Sequence, residues 1–274
     1  MNTIATITWL TFHEARRRKM VLAALAMGGV FLVLFGLGFS LITRSLNQAN
    51  QFQLQLNYNL LLMAGLYVVH FLTIMLAIFA SVDTVAGEIA SHTIQTLVTK
   101  PVRRWQVLVG KWLGYAAMQV LYLSLLGGGI LLIVYALVGY TPPNWLEGLL
   151  MLILESLVLL SLSLLGGTRF STLTNGVALF MLYGLAFIGA WVEQIGAILQ
   201  SPAAVRVGVI TSLLLPVEAL WRRATFLMQP ALLRNIPSPF STSSVPSPAF
   251  VAYAIGYALL ALLLALRVFG RRDL

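Results

Sequence analysis

Two ionisable residues lie within long apolar stretches of the chain, and they are the first candidates for chemistry. His70 stands near the middle of one stretch, and Glu155 lies in the first half of another. Burying a charged group in hydrocarbon costs several kcal/mol, so such residues often line a transport pathway. Both are therefore candidate pathway residues. The alternative, which the sequence leaves open, is a structural hydrogen bond to a polar neighbour such as Gln119.

Motifs for catalysis are missing from the chain. The pair Gly110-Lys111 is followed by Trp112 and has no upstream glycine at the spacing of a phosphate-binding loop. Glu88 and His92 stand at i and i+4, but two residues are too few for a metal site, and the three histidines are scattered. There is no cysteine. The sequence therefore predicts no catalytic, cofactor-binding or metal-binding residue, and any ATP hydrolysis must occur in another subunit.

Composition defines the class of protein. Hydrophobic residues make up 59% of the chain and charged residues 9%, and the mean hydropathy is +0.92. This leaves too little polar surface to cover a soluble globule. Because the apolar segments reach about 20 residues, the length of a helix that crosses a bilayer, an all-α integral membrane protein is predicted.

The hydropathy pattern divides residues 1–274 into a single transmembrane domain with three further segments. A helix on the membrane surface is predicted for residues 1–19, although the run ARRRK there is equally explained as a positive flank that orients the first span. The predicted spans are residues 20–42, 60–82, 112–138, 146–168, 176–192 and 249–268. Residues 83–111 are predicted to form a cytoplasmic hairpin, and residues 193–248 an external loop.

Lysine and arginine residues orient the chain. With the N-terminus inside, the cytoplasmic segments hold 12 of the 17 Lys and Arg residues, which predicts that both termini are cytoplasmic. The net charge of +9 is then mostly a matter of topology. No basic folded domain remains to bind nucleic acid.

The segment from Gly87 to Gly114 is polar and basic and lies between two apolar spans. A loop of this size is larger than a connection needs, so a docking surface for a cytoplasmic partner is predicted. The spacing of Gly110 and Gly114 predicts close packing against another helix.

The predicted external loop contains two apolar pieces. The run from Ala203 to Leu215 is interrupted by Arg206 and is too short to cross a bilayer unaided. In the following piece, apolar residues recur at helical spacing beside Arg222 and Arg223. This pattern predicts a re-entrant or interfacial helix.

Taken together, these features resemble the permease of a type-2 ABC exporter. The resemblance rests on six spans, on T-I-Q-T-L-x-T-K-P-x-R-R-W-Q-V-x-x-G-K-W after the second span, and on P-V-E-A-L-W before the last. The central stretch is particularly similar to the permease of the exporter that serves copper-site maturation of nitrous oxide reductase. The resemblance implies a permease homodimer in the cytoplasmic (inner) membrane of a prokaryote, bound to two copies of an ATP-binding subunit that holds ATP and Mg²⁺, with room for an external accessory protein.

The resemblance also implies that residues 83–111 couple the permease to the ATPase. The residues expected to make this contact are Glu88, Thr93, Gln95, Thr96, Lys100, Pro101, Arg103 and Arg104. Two other classes stay open. One is a non-transporting mechanotransmission or scaffold partner of an ATPase, and the other is a secondary transporter, although no internal repeat supports the latter.

Overall fold

The computed structural model describes residues 3–45, 50–84, 87, 103–234, 236 and 244–271, and these residues form nine α-helices and one short 3₁₀ turn without any strand. The helices are α1 (Thr3–Arg17), α2 (Lys19–Ser45), α3 (Gln51–Ser81), α4 (Arg104–Val138), α5 (Trp145–Gly167), α6 (Thr172–Ile198), α7 (Pro202–Leu214), α8 (Val217–Met228) and α9 (Pro248–Gly270). Six of them, α2 to α6 and α9, are long and apolar enough to cross a membrane. The predicted all-α membrane fold is confirmed.

Several helices extend beyond the stretch that hydropathy marks. The helix α3 begins at Gln51, where the Asn50 side chain caps the backbone and Gln53 completes a capping box. The helix α6 runs on to Ile198. Glu193, with which the predicted external loop begins, therefore lies inside a helix. Hydropathy detects only the apolar centre of a span, whereas capping and packing determine where the helix ends.

Helix α5 forms the centre of the bundle and contacts α3, α4, α6, α8 and α9. The helix α2 is mostly exposed along its length, as expected for a helix that faces lipid or another subunit. In the core, aromatic and branched side chains of neighbouring helices are fully buried, among them Leu62, Leu66, Tyr115, Tyr122 and Leu123. Burial of these side chains orders α3, α4 and α5 as one unit.

The bundle has two ends, called here the loop end, where α3 begins and α4 ends, and the hairpin end, where α3 ends and α4 begins. At the loop end, Asn59 of α3 donates to the Tyr140 hydroxyl (3.0 Å) and to the Met228 carbonyl (3.4 Å). Burial raises the pKa of Tyr140. The helix α4 stops here at Gly139, whose φ of 68° is the left-handed conformation that glycine adopts without strain.

At the hairpin end, the chain on both sides of residues 85–102 is brought together. The Lys111 ammonium group donates to the backbone carbonyl of Thr84 (3.1 Å), which joins the end of α3 to the start of α4. The helix α1 packs along α4 at this end, with Ile7 over Gly110 and Thr11 over Gly114. The close packing predicted from the spacing of the two glycines is confirmed. Since α9 also ends here beside Thr168 and Arg169, both ends of the described chain lie at the hairpin end.

The helices α7 and α8 form a re-entrant pair. The helix α7 has 13 residues, a length of about 20 Å, and runs antiparallel to α6, with Ala204 beside Gly196 and Thr211 beside Gly189. The chain then bends by 104°, and α8 returns along α5 until Met228 packs on Gly148. Because α7 begins and α8 ends at the loop end, the pair enters the bundle and leaves it on one side.

Candidate functional site

Five ionisable side chains meet inside the bundle, at the point where α8 begins. They are His70 on α3, Glu155 on α5, Glu193 on α6, and Glu218 and Arg222 on α8. The exposed fraction of each side chain is 9% or less. This set is called the ionisable cluster below.

His70 is the centre of the cluster. Its Nδ1 atom lies 2.7 Å from Glu155 Oε1, which is hydrogen-bond distance. Its Nε2 atom lies 3.6 Å from Glu218 Oε1 on the other side of the ring. One imidazole therefore connects the central helix α5 to the re-entrant helix α8.

Aromatic rings enclose the imidazole. The Trp221 ring stacks on His70 with 4.7 Å between the ring centroids and 28° between the planes. The Tyr67 ring lies 5.9 Å from His70 and 5.4 Å from Trp221. The imidazole is therefore packed between aromatic side chains of α3 and α8.

Arg222 carries the second half of the cluster. Its Nη1 atom lies 2.7 Å from Glu193 Oε1, and its Nη2 atom donates to the Ser212 hydroxyl at 3.0 Å. These contacts connect α8 to α6 and α7. Glu218 and Arg222 stand at i and i+4, so they share one face of α8, and that face points into the protein.

The cluster is incompletely paired within the part of the chain that the structure describes. Glu155 Oε2, Glu193 Oε2 and Arg222 Nε have no hydrogen-bond partner there. No group of three or more His, Asp or Glu side chains among these residues is arranged to hold a metal ion.

The two predicted pathway residues, His70 and Glu155, bond to each other. The alternative partner, Gln119, is buried, and its amide group has no hydrogen-bond partner among the residues described. Sequence reasoning missed Glu193, Glu218 and Arg222, which it placed in an external loop. The pair Glu218 and Arg222 at helical spacing within an apolar segment was the available signal.

A second polar network lies at the hairpin end. Arg18 contacts Glu14 (2.9 Å) and Asp83 (3.3 Å), and Asp83 accepts from the Thr172 hydroxyl at 3.1 Å. It connects the start of α2, the residues after α3 and the start of α6. The network and Lys19 border a groove of about 780 Å³, and most of its other walls are apolar, among them Phe79, Leu173, Val177, Phe180 and Met181.

Two of the residues predicted to contact an ATPase lie at the start of α4. Arg103 is exposed and caps α4, where its backbone N–H donates to the Gln106 side chain at 3.2 Å. Arg104, the first residue of α4, is half-buried. The other six predicted residues, Glu88, Thr93, Gln95, Thr96, Lys100 and Pro101, lie outside the described residues.

The fold and the two networks define a multi-pass α-helical membrane protein with a re-entrant pair before its last span. Comparison with protein families gives a match to the model described as ABC-2 family transporter protein, over residues 5–274. The chain belongs to this family. It is a permease component of an ABC transporter, a membrane component that is not itself catalytic, and its family implies an ATP-binding partner. No individual curated protein matches the chain at a significant level.

Proposed function

We propose that this chain is the permease subunit of an ABC exporter and works as a homodimer with two copies of a separate ATP-binding subunit. ATP and Mg²⁺ bind in that partner, which docks on residues 83–111. Membership of the ABC-2 family supports the partner in general. The observation that carries the proposal is the set of contacts that connects Asp83 and Lys111, at the two ends of this segment, to the helices of the bundle.

Movement of residues 83–111 would be transmitted to the bundle through direct side-chain contacts. On one side, Asp83 is bonded to Arg18 and Thr172, and therefore to α2 and α6. On the other, Lys111 is bonded to Thr84, and α4 is clamped by α1. A partner that moves the segment would therefore tilt α3, α4 and α6 together, which is how a closing ATPase would switch access between the two sides of the membrane.

The proposal places the hairpin end in the cytoplasm, because the excess of Lys and Arg residues lies there. Both termini are then cytoplasmic, and the membrane is the inner membrane of a prokaryote. An external accessory protein would meet the loop end. The groove beside Asp83 is apolar along most of its wall and polar at one end, which suits an amphipathic cargo that enters from the lipid. The comparisons give no support for the narrower likeness to the nitrous oxide reductase maturation permease, so no copper or sulfur cargo is proposed.

Co-purification and ATPase activity test the proposal. Tagged chain is extracted from native membranes in mild detergent, and the eluate is analysed for a subunit with a phosphate-binding loop and for ATP hydrolysis. We expect the double variant Arg103→Ala, Arg104→Ala to lose most of the co-purified ATPase. The control Arg206→Ala removes an exposed arginine from α7 and should retain it. Equal recovery with all three proteins would refute the docking site.

The second candidate is a mechanotransmission subunit that works with an ATPase and moves no solute. The inward face of α8, held by ionic contacts to α3 and α6, favours it because the ionisable cluster is closed. The two functions differ in transport. Vesicles that contain the complex and consume ATP without moving any fluorescent phospholipid or amphipathic peptide would favour mechanotransmission.

A further inference from the structure

We propose that a pocket lined by three arginines at the hairpin end binds an anionic phospholipid. The arginines are Arg169, in the turn after α5, and Arg267 and Arg271, at the end of α9. Their pocket, called the arginine pocket below, has a volume of about 620 Å³. The phosphate of the lipid lies between the guanidinium groups, and an acyl chain lies in an apolar groove that continues from the pocket. Such binding requires neither the ATPase nor a direction of transport.

Two neighbouring helices bring the three arginines together. Arg267 and Arg271 stand at i and i+4, so they lie on one face of α9. Helix α9 packs along α5. At the end of α5 the backbone N–H groups of Arg169 and Phe170 donate to the Gly166 carbonyl, at 3.0 and 2.8 Å, and this turn places Arg169 on the opposite wall of the pocket. All three arginines are exposed, so a ligand has access to them.

The positive charge of the pocket is not balanced by the described residues around it. None of the ion pairs among those residues includes Arg169, Arg267 or Arg271. The C-terminal ends of α5 and α9 lie here, and each carries about half a negative charge, so together they offset one of the three positive charges. Arg272 and Asp273, the next charged residues in the sequence, cancel each other. A net charge of roughly +2 is left for a bound anion.

The chemistry of the three side chains favours a phosphate group. Each guanidinium group is a planar fork that donates two parallel N–H bonds to two oxygens of one phosphate. Basic pockets between transmembrane helices at the membrane surface bind anionic headgroups in this way. A phosphodiester between Arg169 on one wall and Arg267 and Arg271 on the other would therefore connect α5 to α9.

An apolar groove of about 410 Å³ identifies the ligand as a lipid. Arg169, Leu264 and Val268 line both cavities, so the groove continues from the arginine pocket. Along α5 it extends from Arg169 to Leu162, which is about 10 Å, or a third of a hydrocarbon core of ~30 Å. Among the described residues on its wall, Asn175 is the one other polar side chain, and it donates to the Ser163 carbonyl at 2.9 Å. A free phosphate ion would fill the pocket alone, whereas a phospholipid fills both cavities.

The larger groove beside Asp83 differs in charge. Arg18 contacts two carboxylates there, Glu14 at 2.9 Å and Asp83 at 3.3 Å. Lys19 also borders that groove, so the charges of these four residues sum to zero. An anionic lipid is therefore expected in the arginine pocket and not beside Asp83.

Fluorescence quenching by spin-labelled lipid tests the proposal. The chain has no cysteine, so Leu260→Cys provides a single site for a fluorophore. Leu260 is 57% exposed and lies on the same face of α9 as Leu264, one turn deeper in the membrane. The full chain is reconstituted in phosphatidylcholine nanodiscs that contain phosphatidylglycerol or phosphatidylcholine with a nitroxide on the acyl chain. We expect half-maximal quenching at a mole fraction of phosphatidylglycerol that is about fivefold to 25-fold lower, since each of two uncompensated charges contributes up to about fivefold (~1 kcal/mol).

Two matched charge variants separate the arginine pocket from the general positive charge of the hairpin end. The double variant Arg267→Gln, Arg271→Gln should be quenched equally by the two lipids. The control Arg16→Gln, Arg17→Gln removes the same charge from exposed residues at the end of α1 and should keep the preference of the parent. Quenching by spin-labelled phosphatidylcholine should be the same in all three proteins, which checks that each is folded and inserted. An equal preference in the two double variants would overturn the proposal.

A third comparison tests the acyl-chain groove. Ala178→Phe adds bulk to the groove wall and should lower the preference for phosphatidylglycerol at least about twofold, as overpacking of a filled groove predicts. The control Gly184→Phe, on the same helix and with no atom within 4 Å of its Cβ position, should not. Inorganic phosphate at matched ionic strength should leave the quenching unchanged. Displacement by phosphate would assign the pocket to a soluble anion, and weak quenching by both lipids would show that a second copy of the chain covers it; either result would overturn the proposal.

Discussion

The ion pair between Arg222 and Glu193 should hold the re-entrant helix α8 in place, and its strength can be worked out from the structure. The Arg222 and Glu193 side chains are 9% and 2% exposed, and 2.7 Å separates their charged atoms. In Arg222→Met the apolar stem is replaced and the charge is lost, which leaves the Glu193 carboxylate buried without its cation. Breaking a buried ion pair from one side typically costs about 3–5 kcal/mol. We therefore expect Arg222→Met to favour opening of α8 by about 3–5 kcal/mol, which is ~160-fold to ~5,000-fold in an equilibrium constant.

The assay is maleimide labelling of Cys introduced at Ala224, measured as a ratio to the same protein without the second substitution. The matched double variant Glu193→Gln, Arg222→Met removes both charges and should label within a few-fold of the parent, because replacing both partners of a buried pair is often nearly neutral. Arg206→Met, on the exposed face of α7, controls for loss of a positive charge near the loop end. If the double variant labels as fast as Arg222→Met, the two residues are not coupled and the reasoning fails.

Two further predictions concern the hairpin end. A Cβ atom at Gly110 would lie 2.7 Å from Ile7 Cγ2, and one at Gly114 would lie 2.8 Å from Thr11 Cβ. Gly110→Leu and Gly114→Leu should therefore displace α1 at a cost of about 1–3 kcal/mol and expose a cysteine placed at the fully buried Ala15 to maleimide labelling. Gly256→Leu, with no atom within 4 Å of its Cβ position, is the control, and unchanged labelling at position 15 in the two other variants would contradict the prediction. Asp83→Asn removes the ion pair with Arg18 but keeps an oxygen that can accept from the Thr172 hydroxyl. The two ionic side chains are 25% and 50% exposed, so the loss of stability in thermal unfolding should stay below about 1 kcal/mol, while stimulation of a co-purified ATPase falls. An unchanged ATPase response would show that this network does not transmit force.

The spans were predictable because length and hydropathy are local properties of the sequence. Roughly 20 apolar residues in a row leave a helix across the bilayer as the only arrangement that satisfies the backbone. The spacing of Gly110 and Gly114 likewise predicted a close helix contact, although it did not identify α1 as the partner. Local patterns thus predicted the helices and the side of α4 that packs closely against another helix.

The ionisable cluster was only half predictable, because its members come together through tertiary structure. His70 and Glu155 were suspected separately, yet they are 85 positions apart, and no local pattern shows that they bond. Arg222 was placed on a predicted re-entrant or interfacial helix, and Glu218 was not singled out. An amphipathic helix buries its polar face when buried partners neutralise it, and here His70 and Glu193 do so from two other helices.

The positions of the two polar networks suggest how the ends of the bundle communicate. Helix α3 carries His70 in the ionisable cluster and leads directly into Asp83 at the hairpin end, about 20 Å further along the helix direction. Helix α6 carries Thr172, bonded to Asp83, and Glu193, bonded to Arg222. The same two helices therefore meet at Asp83 and are connected again through α8. A change in the tilt between them at the hairpin end must either bend one of the helices or alter the distances in the ionisable cluster. Helices of this length bend little without a proline or an inserted group, so such a tilt would change the distances between α8 and its partners on α3 and α6.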